Sequence, residues 1–412
     1  MGLNNVSTVL NNEIAEMKNE GRTKGKEAII VGVKRPQGEK GPRYLLKGYG
    51  DKEFIRMNSN SYLGMSLDET IIKAEEEASR EFGVGPGAVR FINGTFKPHR
   101  DLEKKLAAFH GYEDGMIFSC AYATMIGVFN ALTSGETTII SDELNHNCII
   151  NAIKLSRPKD KKVYKHNKMD ELETQIKDSI GKCKRVLIVT DGVFSMRGDF
   201  APLDKVCELS KKYDKEFPEN IIVMVDDSHG VGACGKTGRG AVEVANAQGV
   251  DILIGTLGKA YGVNGGYVVT NEAVTRYLRE KAVTYIYSNP ITVGESAACL
   301  KVLEFLDSDK GRERLSHMRK LTKKFEDGIK SLGMEIIESV HPIVPLMVRD
   351  TQKTIDIVAF LKENGVLSTG LNFPVVPKGD QTIRFQVNGS HTAYDIDCVL
   401  GVLRKFKESY KK

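Results

Sequence analysis

Lys259 lies in the segment DILIGTLGKAYGVNGGY (residues 251–267), between two short apolar runs at 252–254 and 267–269 that each predict a buried strand. A cation in a glycine-rich loop between buried strands must be paired, open to a cleft, or bonded to something, because an isolated buried charge is costly. A turn lysine facing solvent is the plain alternative. One apolar run earlier, at 221–225, the chain continues as DDSH, which places Asp226 at the carboxyl end of a strand with His229 close behind it. As structural residues these two would be a turn cap and a satisfied histidine. As chemistry, Asp226 is a carboxylate held where a cationic ring nitrogen can meet it, the partner that a pyridinium cofactor requires. The residues that follow, GVGACGKT (230–237), fit the GxxxxGKT pattern of a phosphate-cradling P-loop and also contain GxGxxG. The local physics argues against both nucleotide readings. A P-loop needs a helix beginning at its lysine, and here Gly238 and Gly240 follow Thr237, a poor helix start. No acidic residue closes a second strand at the dinucleotide-binding spacing. A P-loop nucleotidase stays as the distant alternative, with Lys236 rather than Lys259 as its essential residue.

The elements that must position these residues alternate. Apolar runs at 116–119, 138–141, 162–164, 185–190, 221–225 and 252–254 are separated by amphipathic stretches from 122 onward, at 148–155, 169–179 and 203–213. This alternation predicts βαβ units and a mainly parallel sheet covered on both faces, with ligands beyond the carboxyl ends of its strands. Upstream, the sequence predicts a helix over 9–20, a basic linker, and short strands at 44–46 and 54–56. Asp68 caps a helix that ends near Phe82, and Gly83 stops it. The stretch GVGPGAVRFINGT (83–95) has no helix or strand period, and loops of that length in a compact domain are usually functional. Beyond 290 the texture changes to helices at 293–306, 313–331, 354–363 and 393–406 with strands at 335–337, 343–348 and 382–386, a smaller α+β unit. The expected division is an N-terminal segment (1–60) packing with the C-terminal unit, a large domain (61–290) and a small domain (291–412).

A chain of 412 residues is long for one core. Its 41% hydrophobic and 27% charged residues are those of a soluble globular protein. No apolar run approaches the roughly 18 residues of a membrane span, and the N-terminus lacks a secretory pattern, so no membrane partner and a cytoplasmic location are expected. The net charge of +5 is spread thinly among residues of both signs, which argues against a nucleic-acid platform. The seven cysteines show no CxxC and no spacing with histidine that suits a metal, so free thiols and no metal site are expected.

The ordered segments NSNSYLG, VRFINGT followed by HRDLEKKLAAFHG, SDELNH, TDGVFSMRGD, VDDSHGVG with GRG, GTLGKAYG with GGY, YSNP, and FPVVPKG with IRFQV resemble those of the α-oxoamine synthases. These are fold-type I enzymes dependent on pyridoxal 5'-phosphate, and the resemblance runs from about residue 55 to residue 400. Within the family the pattern is most similar to the 2-amino-3-ketobutyrate coenzyme A ligases (glycine C-acetyltransferases). The resemblance implies an α/β architecture: a large cofactor-binding domain with a mainly parallel seven-stranded sheet, and a smaller α+β domain. It implies that Lys259 bonds the cofactor's aldehyde, is displaced by the substrate amine, and then removes the α-proton. Asp226 would keep the ring nitrogen protonated, His229 would lie near the ring hydroxyl, and His146 in SDELNH would stack on the ring. The phosphate would be held by the amides of Cys120, Ala121 and Tyr122 at a helix start and by the Thr256 hydroxyl. Ser288 of YSNP would reach the phosphate of a neighbouring subunit, in a homodimer with shared active sites. Arg384 would bind the substrate carboxylate as a bidentate fork, with Asn60 and Ser195 completing that pocket and Ser195 also touching the cofactor. An exposed strand face is the plain alternative for Arg384, because Ile383 and Phe385 point the other way.

The implied reaction condenses glycine with acetyl-CoA to 2-amino-3-oxobutanoate, or runs as the reverse cleavage by CoA. The alternatives within the family are 8-amino-7-oxononanoate synthase (alanine with pimeloyl-CoA), 5-aminolevulinate synthase and serine palmitoyltransferase. The basic residues Arg22, Lys24, Lys26, Lys34 and Arg35 are a place for the phosphates of CoA. The chain departs from the ligase pattern at Ser61, at Met125, in FKPH after Thr95 and in AYGVNGG after Lys259, and these departures bear on substrate choice.

Overall fold

The computed structural model describes residues 2–409 apart from 21, 24 and 25. Elements are numbered in chain order. The N-terminal region holds α1 (Asn4–Asn19) and an antiparallel ribbon of β1 (Ile30–Lys34), β2 (Arg43–Leu46) and β3 (Glu53–Arg56). Seven strands then build the central sheet: β4 (Asp114–Phe118), β5 (Thr137–Asp142), β6 (Asp160–Tyr164), β7 (Arg185–Asp191), β8 (Ile221–Asp226), β9 (Ile252–Thr256) and β10 (Gly266–Thr270). Their order is β4-β10-β9-β8-β7-β5-β6, and β10 alone runs antiparallel, to both of its neighbours. The mainly parallel seven-stranded sheet that the resemblance implies is therefore present.

The pleat sorts the apolar residues of these strands into two cores. Val186, Ile188, Val223, Val225 and Leu253 join one face, while Leu187, Val189, Met224, Ile252 and Ile254 join the other. Strands buried on both faces read as unbroken apolar runs, which is why they stood out in the sequence. The helices of this region are α2 (Glu69–Phe82), α3 (Lys97–His110), α4 (Ala121–Leu132), α5 (Asn147–Ser156), α6 (Met169–Lys177), α7 (Leu203–Tyr213), the short α8 (Ala241–Val244), α9 (Glu272–Lys281) and the short α10 (Val283–Ile286). Asp68 caps α2 by accepting from Thr70 N at 2.9 Å, and Gly83 ends it with φ 87°. Because β10 is antiparallel, its first residue, Gly266, sits at the same edge as the last residues of β4, β7, β8 and β9. That edge carries the candidate site.

The C-terminal region comprises α11 (Val293–Leu306), α12 (Asp309–Ser331), β11 (Ile343–Met347), α13 (Thr351–Glu363), β12 (Val366–Leu367), β13 (Thr369–Leu371), β14 (Thr382–Gln386) and α14 (Ala393–Ser409). β11, β14 and β13 form an antiparallel sheet. β12 leaves it to pair in parallel with β3, so the N-terminal ribbon is joined to this region by a strand ladder. No residue of α1 is buried, and its Val6, Val9, Leu10 and Ile14 are exposed. The strand expected at 335–337 does not form: Ile336 makes only an isolated bridge to Leu346. Among the described residues, no helix is long and apolar enough to cross a membrane.

Candidate active site

Lys259 follows β9 in a loop tied back on itself. Leu257 N donates to Gly265 O at 2.9 Å, and Val263 N donates to Leu257 O at 3.2 Å. The loop delivers the lysine to a cavity of about 240 Å³ whose walls include Cys120, Ala121, Tyr122, His146, Asp226, His229 and Thr256. Eight of the twelve predicted site residues thus share one cavity. Burial pushes the Lys259 ammonium down to about 8; Asp226 opposes that shift and the Arg384 cation adds to it. The solvent-facing alternative for this lysine is not what the chain adopts.

Asp226 closes β8, buried, with Oδ1 accepting from Ser228 N at 3.0 Å and Oδ2 accepting from the Cys148 thiol at 3.5 Å. Its neighbour across the ladder, Asp191 at the end of β7, lines the same cavity and accepts from His146 N at 2.9 Å. Burial first, and then the Asp226 charge, hold the Asp191 carboxyl well above its usual range. Asp227 faces the other way. Its Oδ2 accepts from Ala241 N at 2.8 Å, and it packs so tightly against Gly230 and Gly240 that a β-carbon at either would overlap it. One aspartate of DDSH thus faces the cavity and the other fastens the glycine-rich loop behind it.

The imidazoles are neutral. Burial lowers His146, with the nearby Lys259 acting in the same direction and Asp226 against it. His146 Nδ1 accepts from Cys148 N at 3.2 Å, which leaves its proton on Nε2. Burial, and then the cations of Lys259 and Arg384, hold His229 well below its usual range. The Tyr62 phenol lies 2.7 Å from His229 Nδ1. Burial pushes that phenol up, so it keeps its proton, which is also within reach of Asn60 Oδ1 at 3.3 Å. His341 holds the His229 backbone: its Nδ1 accepts from Ile343 N at 3.1 Å, so its Nε2–H donates to His229 O at 2.7 Å.

Two features make an anion seat at the head of α4. The first-turn amides of a helix have no partners within it, and Cys120, Ala121 and Tyr122 line the cavity there. Gly266 makes the approach possible, because a β-carbon at 266 would overlap the Ala121 N and Cα atoms. Thr256 lies beside them, with its hydroxyl donating to Gly265 O at 3.2 Å.

Arg384 and Asn60 lie together beyond the lysine, with Arg384 Nη2 donating to Asn60 Oδ1 at 3.0 Å. Asn60 and Lys259 both line a polar cavity of about 490 Å³. Burial lowers the Arg384 guanidinium, so an exposed strand face does not describe it. Ser195 stands apart from both. It lines a third, mostly apolar cavity of about 760 Å³ that shares His146 and Asp191 with the lysine cavity. Ser288 lines none of these cavities, and its hydroxyl donates to Asn289 O at 3.4 Å. Of the basic N-terminal residues, Lys24 lies outside the described residues, Arg22 pairs with Glu20, Lys34 with Glu53 at 2.7 Å, and Arg35 with Glu69 at 2.9 Å.

The P-loop pattern has no P-loop geometry. No helix begins at Lys236, which is exposed. The Glu243 carboxylate occupies the turn, accepting from Thr237 N at 2.9 Å and Arg239 N at 3.0 Å. Reading the sequence missed Cys148, Asp191 and Tyr62. Asp191 carried a usable sign, an aspartate closing a buried strand like Asp226. Cys148 and Tyr62 carried none outside the motifs that contain them.

A model of the family "Aminotransferase class I and II" matches residues 52–403. The chain belongs to that family, fold-type I enzymes dependent on pyridoxal 5'-phosphate, and within it to the α-oxoamine synthases. An 8-amino-7-oxononanoate synthase of Fervidobacterium nodosum is 38% identical over 98% of this chain and 98% of its own. In fold, the chain is similar to the serine palmitoyltransferase of Sphingomonas wittichii, with a TM-score of 0.88 over 99% of this chain and 98% of that one at 24% identity. A high-resolution structure of SPT with PLP as an internal aldimine is 26% identical, with a TM-score of 0.85 over 99% of both chains. The narrower resemblance, to the glycine C-acetyltransferases, is not supported by these relatives.

Proposed function

We propose that this chain condenses an α-amino acid with an acyl thioester of coenzyme A, forming the new carbon–carbon bond and releasing the CoA thiol. The observation that carries this reading is one cavity holding Lys259, Asp226 and the head of α4, joined through His146 and Asp191 to a larger apolar cavity. The residues fit the family's cofactor: a helix head that Gly266 lets pack close against β10, a buried carboxylate for a ring nitrogen, and a lysine poised to be neutral. When bound there, pyridoxal phosphate supplies an electron sink for negative charge at the amino acid's α-carbon.

The chain's own groups do the rest. Lys259 Nζ takes the α-proton, which its lowered affinity for protons permits near neutral pH. With the cofactor bound, Asp226 would hold the proton of the ring nitrogen and His229 would stand near the ring hydroxyl. Arg384, braced by Asn60, takes the amino acid's carboxylate. His146 stands on the wall between the two cavities and offers Nε2–H to the thioester oxygen as charge gathers there. Ser195 belongs to the acyl side. Ser288 lies outside the cavities, next in the chain to the exposed Tyr287. A homodimer in which a second copy brings its Ser288 to the phosphate seat completes the assembly. The division into 1–60, 61–290 and 291–412 follows the same plan, with the amino acid's carboxylate held where the first and last parts meet.

Among reactions of this type, 8-amino-7-oxononanoate synthesis from alanine and pimeloyl-CoA is the best supported. Relatives carry that name, and a cavity of about 760 Å³ is far larger than an acetyl group fills. Thiol release tests this with alanine, glycine and serine against pimeloyl-, acetyl-, succinyl- and palmitoyl-CoA. The fastest release is expected from alanine with pimeloyl-CoA. Fastest release from glycine with acetyl-CoA would return the assignment to the ligase, and no release from any pair would end the acyl-transfer reading.

A further inference from the structure

The apolar cavity next to the lysine site has a guanidinium in its wall. Leu144, Ile150, Phe194, Met196, Val375 and Val376 supply the apolar lining, and Arg197 stands among them. Its Nε donates to Asp199 Oδ2 at 2.9 Å, and neither of its terminal nitrogens has a partner among the described residues. An arginine fork with both ends open is a ready receptor for a carboxylate.

The guanidinium is also held in place. Asp199 Oδ2 lies 3.2 Å from His166 Nε2, and His166 Nδ1 lies 3.1 Å from Asp142 Oδ1 at the end of β5. Placed between two carboxylates, His166 is raised to about 9, so it is a cation at neutral pH and donates to both. Its ring meets the lining residue Phe194 edge-on, with centroids 4.4 Å apart. The chain Asp142–His166–Asp199 therefore ties the segment bearing Arg197 to the segment bearing Leu144 and His146, both of which line the cavity. Asp380 is the opposing charge on the wall, and it already has a cation 3.9 Å away in Arg349.

We infer that this cavity seats the acyl chain and that Arg197 receives the chain's distal carboxylate, which makes Arg197 the residue that selects such a chain over one ending in a methyl group. The inference rests on the acyl-transfer reading above and adds the seat and its specificity-determining residue. Shared walls at His146 and Asp191 let one chain run from the lysine cavity into the apolar one.

Calorimetric binding to the holoenzyme tests it without turnover. The probes are pimeloyl-CoA and heptanoyl-CoA, which has the same chain length and no distal carboxylate. Wild type is expected to bind pimeloyl-CoA about tenfold more tightly, and Arg197→Gln to bring the ratio close to one. Arg197→Lys, which keeps the charge and loses the fork, should fall between them. The cofactor's visible band reports that each variant still folds. Equal binding of the two thioesters by wild type overturns the inference, and so does an unchanged ratio in Arg197→Gln. A wild type that prefers pimeloyl-CoA but releases no CoA with any amino acid supports the seat and defeats the acyl-transfer reading instead.

Discussion

The fold takes the Lys259 ammonium out of water, as its proposed role as a base requires. Burial outweighs the attraction of Asp226 and brings the group to about 8. A lowered value favours the neutral amine, so the fraction able to bond an aldehyde grows as pH rises through about 8 and is nearly complete well above it. For a lysine at its ordinary value, about 10.4, the same rise comes more than two units later. Apoprotein mixed with pyridoxal phosphate should therefore show a rate of visible-band growth that is half-maximal near pH 8 and level by about pH 10. A rate still climbing steeply at pH 10 would contradict the buried setting. Lys259, Asp226 and His229 were legible in the sequence because each stands just past an apolar run whose strand points it at the ligand edge. Tyr62 was not, because it acts through His229, 167 residues away along the chain. Asp191 gains its meaning only from the register that sets it opposite Asp226.

Among the elements, β10 and α4 make the clearest demand on each other. Gly266 opens β10 beside the first turn of α4, where any β-carbon would meet Ala121 backbone atoms that cannot move aside as a side chain does. Gly266→Ala should weaken pyridoxal phosphate binding by at least about tenfold and lower stability by roughly 1–3 kcal/mol, the usual cost of overpacking. Titration of the cofactor band and urea unfolding measure the two effects, and a variant with wild-type affinity would show that the head of α4 is not the anion seat. Elements bounded by local chemistry were readable. Asp68 and Gly83 delimit α2 as expected, while the Thr292–Glu295 capping box that starts α11 went unread. α9 carried a cap of the same kind, with Asn271 Oδ1 accepting from Val274 N at 2.8 Å, and it was overlooked. The segment 335–337 has the composition of a strand but finds only one bridging partner, and the two residues of β12 are a strand only because β3 lies alongside. The P-loop pattern failed for a local reason too, since a neighbouring glutamate fills the turn that a phosphate would need.

For the molecule as a whole, the alternation of strands and helices gave the sheet, and the ordered motifs gave the family. The proposed acyl seat was hidden. Its cavity is assembled from residues 144–150, 191–197, 337–347 and 374–382, which meet only in the folded chain and are individually ordinary. The proposed carboxylate end of the site is equally dispersed: Asn60 and Arg384 touch across 324 residues of sequence. All of these parts converge on one lysine, so the most direct test of the account is to ask which residue carries the cofactor. Holoenzyme reduced with borohydride, digested and sequenced by mass spectrometry should show the phosphopyridoxyl group on the peptide holding Lys259, and Lys259→Ala should show none. A phosphopyridoxyl group on Lys236 or another lysine, or no yellow protein at all after incubation with pyridoxal phosphate, would contradict it.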